Sequence, residues 1–257
     1  MATRVYEQTD QPAGVPPLAL TGERTLPDVP EENYWFRRHL AVYEWIAERV
    51  RGQRVVDMAC GEGYGSALLA SRAAHVIGVD ANPDAYEHAR LRYRVPNLRF
   101  ERDLVEGFEA RCDAIAFLQT IEHLEDPEGA LTHFRSLVPA DGVVYVSTPN
   151  VLTLAPTGAP KSDNPWHLRE YRAHEFRALC ADVFREVELL GLFHGGMLRV
   201  HEVALRLGWD RMHRWLRVTN RFYGWFTPAI DSGDFRLLSE TEAPLDRALD
   251  FVAVCHP

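Results

Sequence analysis

The sequence contains no run of about 18 consecutive apolar residues, so nothing in it reads as a membrane-spanning helix. Its opening, MATRVYEQTDQPAGVPP, lacks the apolar stretch of a secretory signal and reads as a disordered lead over residues 1–24. The four cysteines, Cys60, Cys112, Cys180 and Cys255, are far apart and form no CxxC pair. That argues against a disulfide framework or a cysteine-built metal site, and for a reducing cytoplasm. Lysine is nearly missing: of 28 basic residues only Lys161 is not arginine, so no single arginine can be taken for a phosphate clamp on identity alone. No internal repeat and no block of like charge is present. The net charge of −9 argues against a general nucleic-acid binder.

What is present suits one domain with an elaboration. The chain has 257 residues and is 46% hydrophobic, ample for a buried core. From residue 53, short apolar runs alternate with helical patterns, the signature of a parallel sheet with crossover helices. RVVDMA, HVIGVD, LRFERDL, CDAIAFLQ and DGVVYVSTPN read as five strands. YGSALLASRA, NPDAYEHARLRY and DPEGALTHFRSLV read as the helices between them, with Pro83 near a helix start where its missing N–H costs nothing. A further helix, REYRAHEFRALCADVF, leads to two last strands, REVELLGLFHG and ALDFVAVCHP, which read as an added pair at the sheet edge. The expected fold is α/β, a doubly wound Rossmann-like sheet of seven strands. An aromatic amphipathic helix (33–50) precedes a core at 53–195, and a helical insertion (196–232) precedes the final strand within 233–257. Together, residues 25–257 read as one domain. In the insertion, Val200, Ala204, Leu207, Trp215 and Phe222 recur at roughly helical spacing, which suits a cap packed on the sheet or a lid over substrate.

The stretch VVDMACGEGYG, residues 55 to 65, puts three glycines after a buried strand, where doubly wound sheets bind their ligands. A dinucleotide would use such a turn, with an acid about 20 positions on for a ribose hydroxyl, and Asp80 stands there. Asp57 decides between ligands. A carboxylate beneath the loop would repel a pyrophosphate and favour a ligand bearing an ammonium or sulfonium. S-adenosylmethionine carries both, with a free ribose diol and no phosphate, which argues against a dehydrogenase. Asp103, after the third strand, stands where a carboxylate can accept from the adenine amino group. Three acids close three successive strands.

VVDMACGEGYG, VIGVD, RDL, CDAIAFLQTIEHLED and VVYVSTPN resemble, in order and spacing, the successive motifs of class I S-adenosylmethionine-dependent methyltransferases. IEHL and STPN resemble the branch that includes ubiquinone-type O-methyltransferases. LTGERTLPDVPEENYWFRRH, NPWHLREY and GLFHG resemble actinobacterial methyltransferases associated with methylated polysaccharides, notably methylglucose lipopolysaccharide. The resemblance implies S-adenosyl-L-methionine as cofactor and its homocysteine as product. It implies contacts from Asp57, Ala59, Gly61, Gly63, Asp80, Ala81, Asp103, Leu104 and Gln119. It also implies a small-molecule or glycan acceptor; STPN stands where a DNA-base methyltransferase would carry an (N/D)PP(Y/F) element.

Methyl transfer to a hydroxyl needs alignment and a base for the departing proton. The candidates are His123 and His167, with His194 behind them. His39, Tyr34 and Trp35 are candidates to close the cofactor pocket. Related O-methyltransferases take magnesium on an ExxEH element, but Gln119 replaces its first carboxylate, leaving Glu122 and His123. A hard-cation site is thereby weakened, so Mg²⁺ is not favoured and no metal ligand is assigned. The insertion holds Arg199, Arg206, Arg211, Arg214, Arg217 and Arg221 against Glu202 and Asp210, with Trp209, Trp215 and Trp225 interleaved. This suits a solvated face, a contact to an acidic glycan or lipid, or a membrane surface. The expected activity is O-methylation of a saccharide. The rivals are a quinone or other aromatic acceptor, and a cofactor-binding protein without catalysis.

Overall fold

The computed structural model describes residues 4–6, 12–20, 24–156, 159, 161–215 and 219–257. Two short strands, β1 (Arg4–Tyr6) and β2 (Leu18–Leu20), pair antiparallel apart from the main sheet. Leu18 is buried with Leu26 and Val29. The described part of the expected disordered lead therefore forms a strap with its own small core.

The main sheet contains β3 (Arg54–Met58), β4 (His75–Val79), β5 (Leu98–Glu101), β6 (Ala114–Leu118), β7 (Val143–Pro149), β8 (Glu186–His194), β9 (Phe235–Ser239) and β10 (Asp250–His256). Their order is β5-β4-β3-β6-β7-β10-β8-β9. The first five run parallel; β10 lies antiparallel between β7 and β8, and β9 pairs antiparallel outside β8. The sheet thus has eight strands where the sequence predicts seven. The extra one is β9, and the closing strand is internal rather than at the edge.

Alternation along the strands builds two cores. Val56, Met58, Ile115, Phe117, Val144, Val146 and Phe251 face one side. There they meet Leu131 and Phe134 of α4 (Pro127–Leu137) and Phe176 and Cys180 of α6 (Ala173–Ala181). Val55, Ala114, Ala116, Tyr145, Val252 and Val254 face the other. They pack on Val42, Tyr43 and Ile46 of α1 (Asn33–Arg49) and Leu69 of α2 (Tyr64–Ala70). Between β4 and β5 runs α3 (Pro83–Arg92), capped by Asn82, whose side chain accepts from the Asp84 and Ala85 N–H groups. A single turn, α5 (Val151–Leu154), follows β7. All four cysteines are free and buried.

The insertion is helical, as predicted: α7 (Gly196–Arg206), α8 (Trp209–Trp215) and α9 (Thr219–Phe226). It packs through Leu198, Phe226 and Ile230, with Phe222 alongside. Of the other periodic positions, Val200, Leu207 and Trp215 are exposed, so the predicted apolar face is not the packed one. The Asn33 side chain donates to the carbonyls of Thr227 and Ile230, tying the end of the insertion to the start of α1. No helix among the described residues is long and apolar enough to cross a membrane.

Candidate active site

The loop after β3 is held in conformations that glycine tolerates. Gly61 has φ +58° and Gly63 +96°, and a Cβ on Gly63 would lie 2.8 Å from that of Ala89. A Cβ on Gly65 would overlap the Tyr43 ring. Of the three non-glycine residues with a left-handed backbone among those described, Ala59 (φ 57°) and Gln119 (φ 52°) lie here and Asp28 (φ 63°) lies outside, so much of the backbone strain sits at this loop, as it does at functional sites. Beneath the loop, buried Glu62 accepts from the Tyr93 hydroxyl at 2.7 Å and lies 3.1 Å from His88 Nε2. His88 Nδ1 lies 2.7 Å from the Pro16 carbonyl, which ties the strap to the loop.

Three acids close three strands, in unequal roles. Asp80 accepts from the Gly61 N–H at 2.8 Å and from the Asn82 N–H at 2.9 Å, at the rim of the loop. Asp103 accepts from the Leu104 N–H at the end of the neighbouring strand. Ala81 and Leu104 stand exposed along the same rim. Asp57 departs from expectation. The pleat that turns Val55 towards α1 and α2 turns Asp57 the same way. There its oxygens accept from Tyr43 OH at 3.0 Å and Ser66 Oγ at 2.6 Å. Asp57 is fully buried and is not among the residues lining the cavity above it. Its loss of solvent raises its pKa to about 7.

Two cavities lie at the carboxyl ends of the parallel strands. The smaller, about 70 Å³, is lined by Ala59, Cys60, Gly61, Glu62, Tyr64 and Thr120, among others. The larger, about 250 Å³, is lined by Glu32, Trp35, Glu122, His123, Asn164 and His167, among others. Arg24, Thr25, His39 and Gln119 line both. The two cavities are thus neighbours that share a wall. A third cavity, about 420 Å³, opens at the opposite strand ends beside Arg54, His75 and Leu98, remote from the glycine loop.

The predicted histidines separate. His123 Nδ1 is 2.9 Å from the Trp166 carbonyl, to which it must donate, leaving Nε2 as the neutral ring's lone-pair nitrogen. His167 lies close by, ring centroids 5.0 Å apart. Its Nδ1 is 2.7 Å from Glu170 Oε1 and its Nε2 is 2.9 Å from Asn164 Nδ2. Burial lowers its pKa, against the opposing pull of Glu170. His194 is drawn away to Tyr34, whose hydroxyl is 2.8 Å from its Nε2, and lines neither cavity. His39, with its pKa pushed by desolvation to about 4, is a neutral wall residue. Buried Glu122 accepts from Thr148 Oγ1 at 3.2 Å, and burial lifts its pKa to about 8. One ligand atom each from Glu122, His123 and His167 falls within 4.8 Å of the others. The ExxEH reading contains the first two; the fold supplies the third.

Sequence reasoning assigned no role to Arg24, Thr25, Glu32, Asn164 or Glu170. GERT and EENYW lie far upstream of the glycine loop, and only the strap's return over α2 brings them to it. The Thr25 Oγ1 to Tyr64 OH contact, 3.1 Å, marks that closure.

Residues 32–202 match a family model described as a methyltransferase domain. The chain is 39% identical over 247 residues to a "Probable S-adenosylmethionine-dependent methyltransferase" of Mycolicibacterium smegmatis, covering 92% of this chain and 94% of that one. Over 118 residues it is 34% identical to a ubiquinone biosynthesis O-methyltransferase of Xylella fastidiosa, covering 42% of this chain and 47% of that one. The crystal structure of an S-adenosylmethionine-dependent methyltransferase from Thermotoga maritima superposes with a TM-score of 0.58 at 16% identity, covering 88% of this chain and 94% of that one.

Proposed function

The chain belongs to the S-adenosylmethionine-dependent methyltransferases, and on that premise we propose that it methylates a hydroxyl of a saccharide or polysaccharide precursor. One observation carries the reading. The cavity that shares its wall with the glycine-loop cavity offers the open ring of Trp35 beside the hydrogen-bonding groups of Glu32, Asn164, His123 and His167. An aromatic face flanked by polar groups suits a sugar ring, whose apolar face stacks while its hydroxyls bond.

The cofactor supplies an electrophilic methyl on sulfur. In this reading Asp80 takes the ribose diol and Asp103 the adenine amino group. Ala59, Gly61, Gly63, Ala81, Leu104 and Gln119 shape the crevice. Arg24, at the wall of both cavities, is the cation for the methionine carboxylate. Asp57, its pKa lifted by burial to about 7, acts from below through its ionised form, which a sulfonium above the loop favours, rather than as a ligand. With the cofactor bound, His123 Nε2 would take the proton of the acceptor hydroxyl as its oxygen receives the methyl group. His167, with both nitrogens taken by Glu170 and Asn164, is a fixed wall against which the acceptor packs beside His123. The four free, buried cysteines support a cytoplasmic setting. Residues 25–257 work as one domain in this reading.

Labelled cofactor tested on glycan and phenolic acceptors decides the acceptor class. Turnover confined to phenols or quinones would replace the saccharide, and cofactor binding without turnover on any acceptor would remove catalysis. The Glu122, His123 and His167 cluster supports a second reading, a divalent cation that positions the acceptor. Two imidazoles and one carboxylate suit a borderline transition metal better than magnesium. Loss of turnover in EDTA, restored by Mn²⁺ or Zn²⁺, would establish it.

A further inference from the structure

We propose that the helical insertion, α7 to α9, is a docking surface for an anionic lipid bilayer. The packed side of the insertion is accounted for by Leu198, Phe222 and Phe226. Val200 and Val203 on α7, and Leu207 at its C-terminal cap, recur at helical spacing on another side, and all three are exposed. Val200 is 70% exposed and Leu207 84%; on α8 and α9, Trp215 is 81% exposed and Trp225 69%. Exposed apolar side chains that share one helix face, as Val200, Val203 and Leu207 do, form the kind of patch that marks an interaction site.

Charge names that partner. Residues 196–226 hold six arginines against Glu202 and Asp210, a surplus of four, in a chain whose net charge is −9. Arg199, Arg206, Arg211 and Arg221 are exposed, and Arg206 also pairs with Glu202. Valine and leucine offer a glycan no hydrogen bond, whereas hydrocarbon accepts them. Arginines beside them match anionic headgroups, the composition of helices that lie in a membrane interface. A symmetric pair of copies meeting through this surface would set one positive surplus against another.

Direction fits as well. Because β10 is antiparallel to both β7 and β8, β8 runs with the parallel strands and ends at His194 on the glycine-loop side of the sheet. There α7 begins, so the insertion crowns the end of the molecule that holds both site cavities. The proposal does not depend on which acceptor is methylated.

The test is sedimentation of the full chain with phosphatidylcholine vesicles, with and without phosphatidylglycerol. Anionic vesicles should carry down at least about tenfold more protein than neutral ones, and the excess should fall in high salt. The combined variant Val200→Ser, Leu207→Ser and Trp215→Ser changes exposed positions only. It should melt like the parent yet bind anionic vesicles about tenfold less. Failure of the parent to sediment with anionic vesicles, or equal sedimentation by the variant, would overturn the proposal. So would a parent dimer that the same substitutions convert to monomer, which would assign the surface to self-association.

Discussion

His123 and His167 lie side by side, but their hydrogen bonds give them different work. His123 has its Nδ1–H spent on a carbonyl and keeps Nε2, whereas His167 has both nitrogens engaged. His123→Ala should therefore lower kcat by about 10²–10⁴-fold, the range of a lost general base, with cofactor affinity unchanged in calorimetry. His167→Ala should act mainly on the acceptor KM. Equal kcat losses in both would return the base assignment to the pair, and wild-type kcat in His123→Ala would leave alignment alone as the catalytic device. Asp80 carries two loads, the Gly61 N–H and a ribose. Asp80→Ala should weaken S-adenosylhomocysteine binding by about 1–3 kcal/mol, the cost of buried polar groups left without an acceptor. Detectable NAD binding by the parent chain would contradict the ligand reading at the same residue.

At the scale of elements, α1 joins the site to the sheet. Its Arg38 is buried, with Nε 2.6 Å from Asp250 Oδ2 and Nη2 2.7 Å from the Leu249 carbonyl. The same guanidinium lies 4.9 Å from the Trp35 ring centre. Arg38→Leu leaves Asp250 buried without its partner and should cost about 3–5 kcal/mol, read from denaturant melts. Adding Asp250→Asn should recover much of that loss, because the cost is an unpaired charge rather than lost volume. A single variant as stable as the parent would show that water reaches Asp250. Elements were legible in the sequence where periodicity was long and local. The helix at 33–50 and four of the five parallel strands lie within a residue or two of their predicted ends; β5 stops at Glu101, three residues before the end of LRFERDL. β9 was not legible: FRLLS is five residues at a sheet edge, with only β8 to pair with. The strap was not legible either, because Leu18, Leu26 and Val29 bury one another through turns rather than a period. The acids at the strand ends could be found from spacing. That Asp57 meets Tyr43 and Ser66 could not, since that depends on where α1 docks.

For the whole molecule, burial of carboxyl groups at the site end sets how stability varies with pH. Asp57 rises from an ordinary 3.8 to about 7, and Glu122 from 4.5 to about 8, each chiefly by desolvation. A carboxyl with a raised folded pKa binds its proton more tightly folded than unfolded. Its contribution to stability is therefore complete below the unfolded value and is lost as pH rises through the folded one. Glu170 works oppositely: burial pushes its pKa up, but the bonds from Ser162 and His167 together outweigh that and hold it below the usual range, so its contribution is lost as pH falls. The protein without cofactor should accordingly melt at its highest temperature in mildly acid solution. Its Tm should then decline between about pH 5 and pH 8, as Asp57 and Glu122 are forced to ionise. Asp57→Asn removes one of the two groups and should flatten that decline; its amide leaves an oxygen to one of Tyr43 and Ser66 and turns a donor to the other, whose hydroxyl oxygen can accept. Cofactor binding should show the mirror image. A sulfonium above the loop favours the ionised Asp57, so S-adenosylmethionine should bind more tightly as pH rises through about 7, and less steeply so in Asp57→Asn. A parent Tm that stays level over that interval, with an affinity equally level, would mean that Asp57 is ionised throughout and that Tyr43 and Ser66 compensate its burial completely.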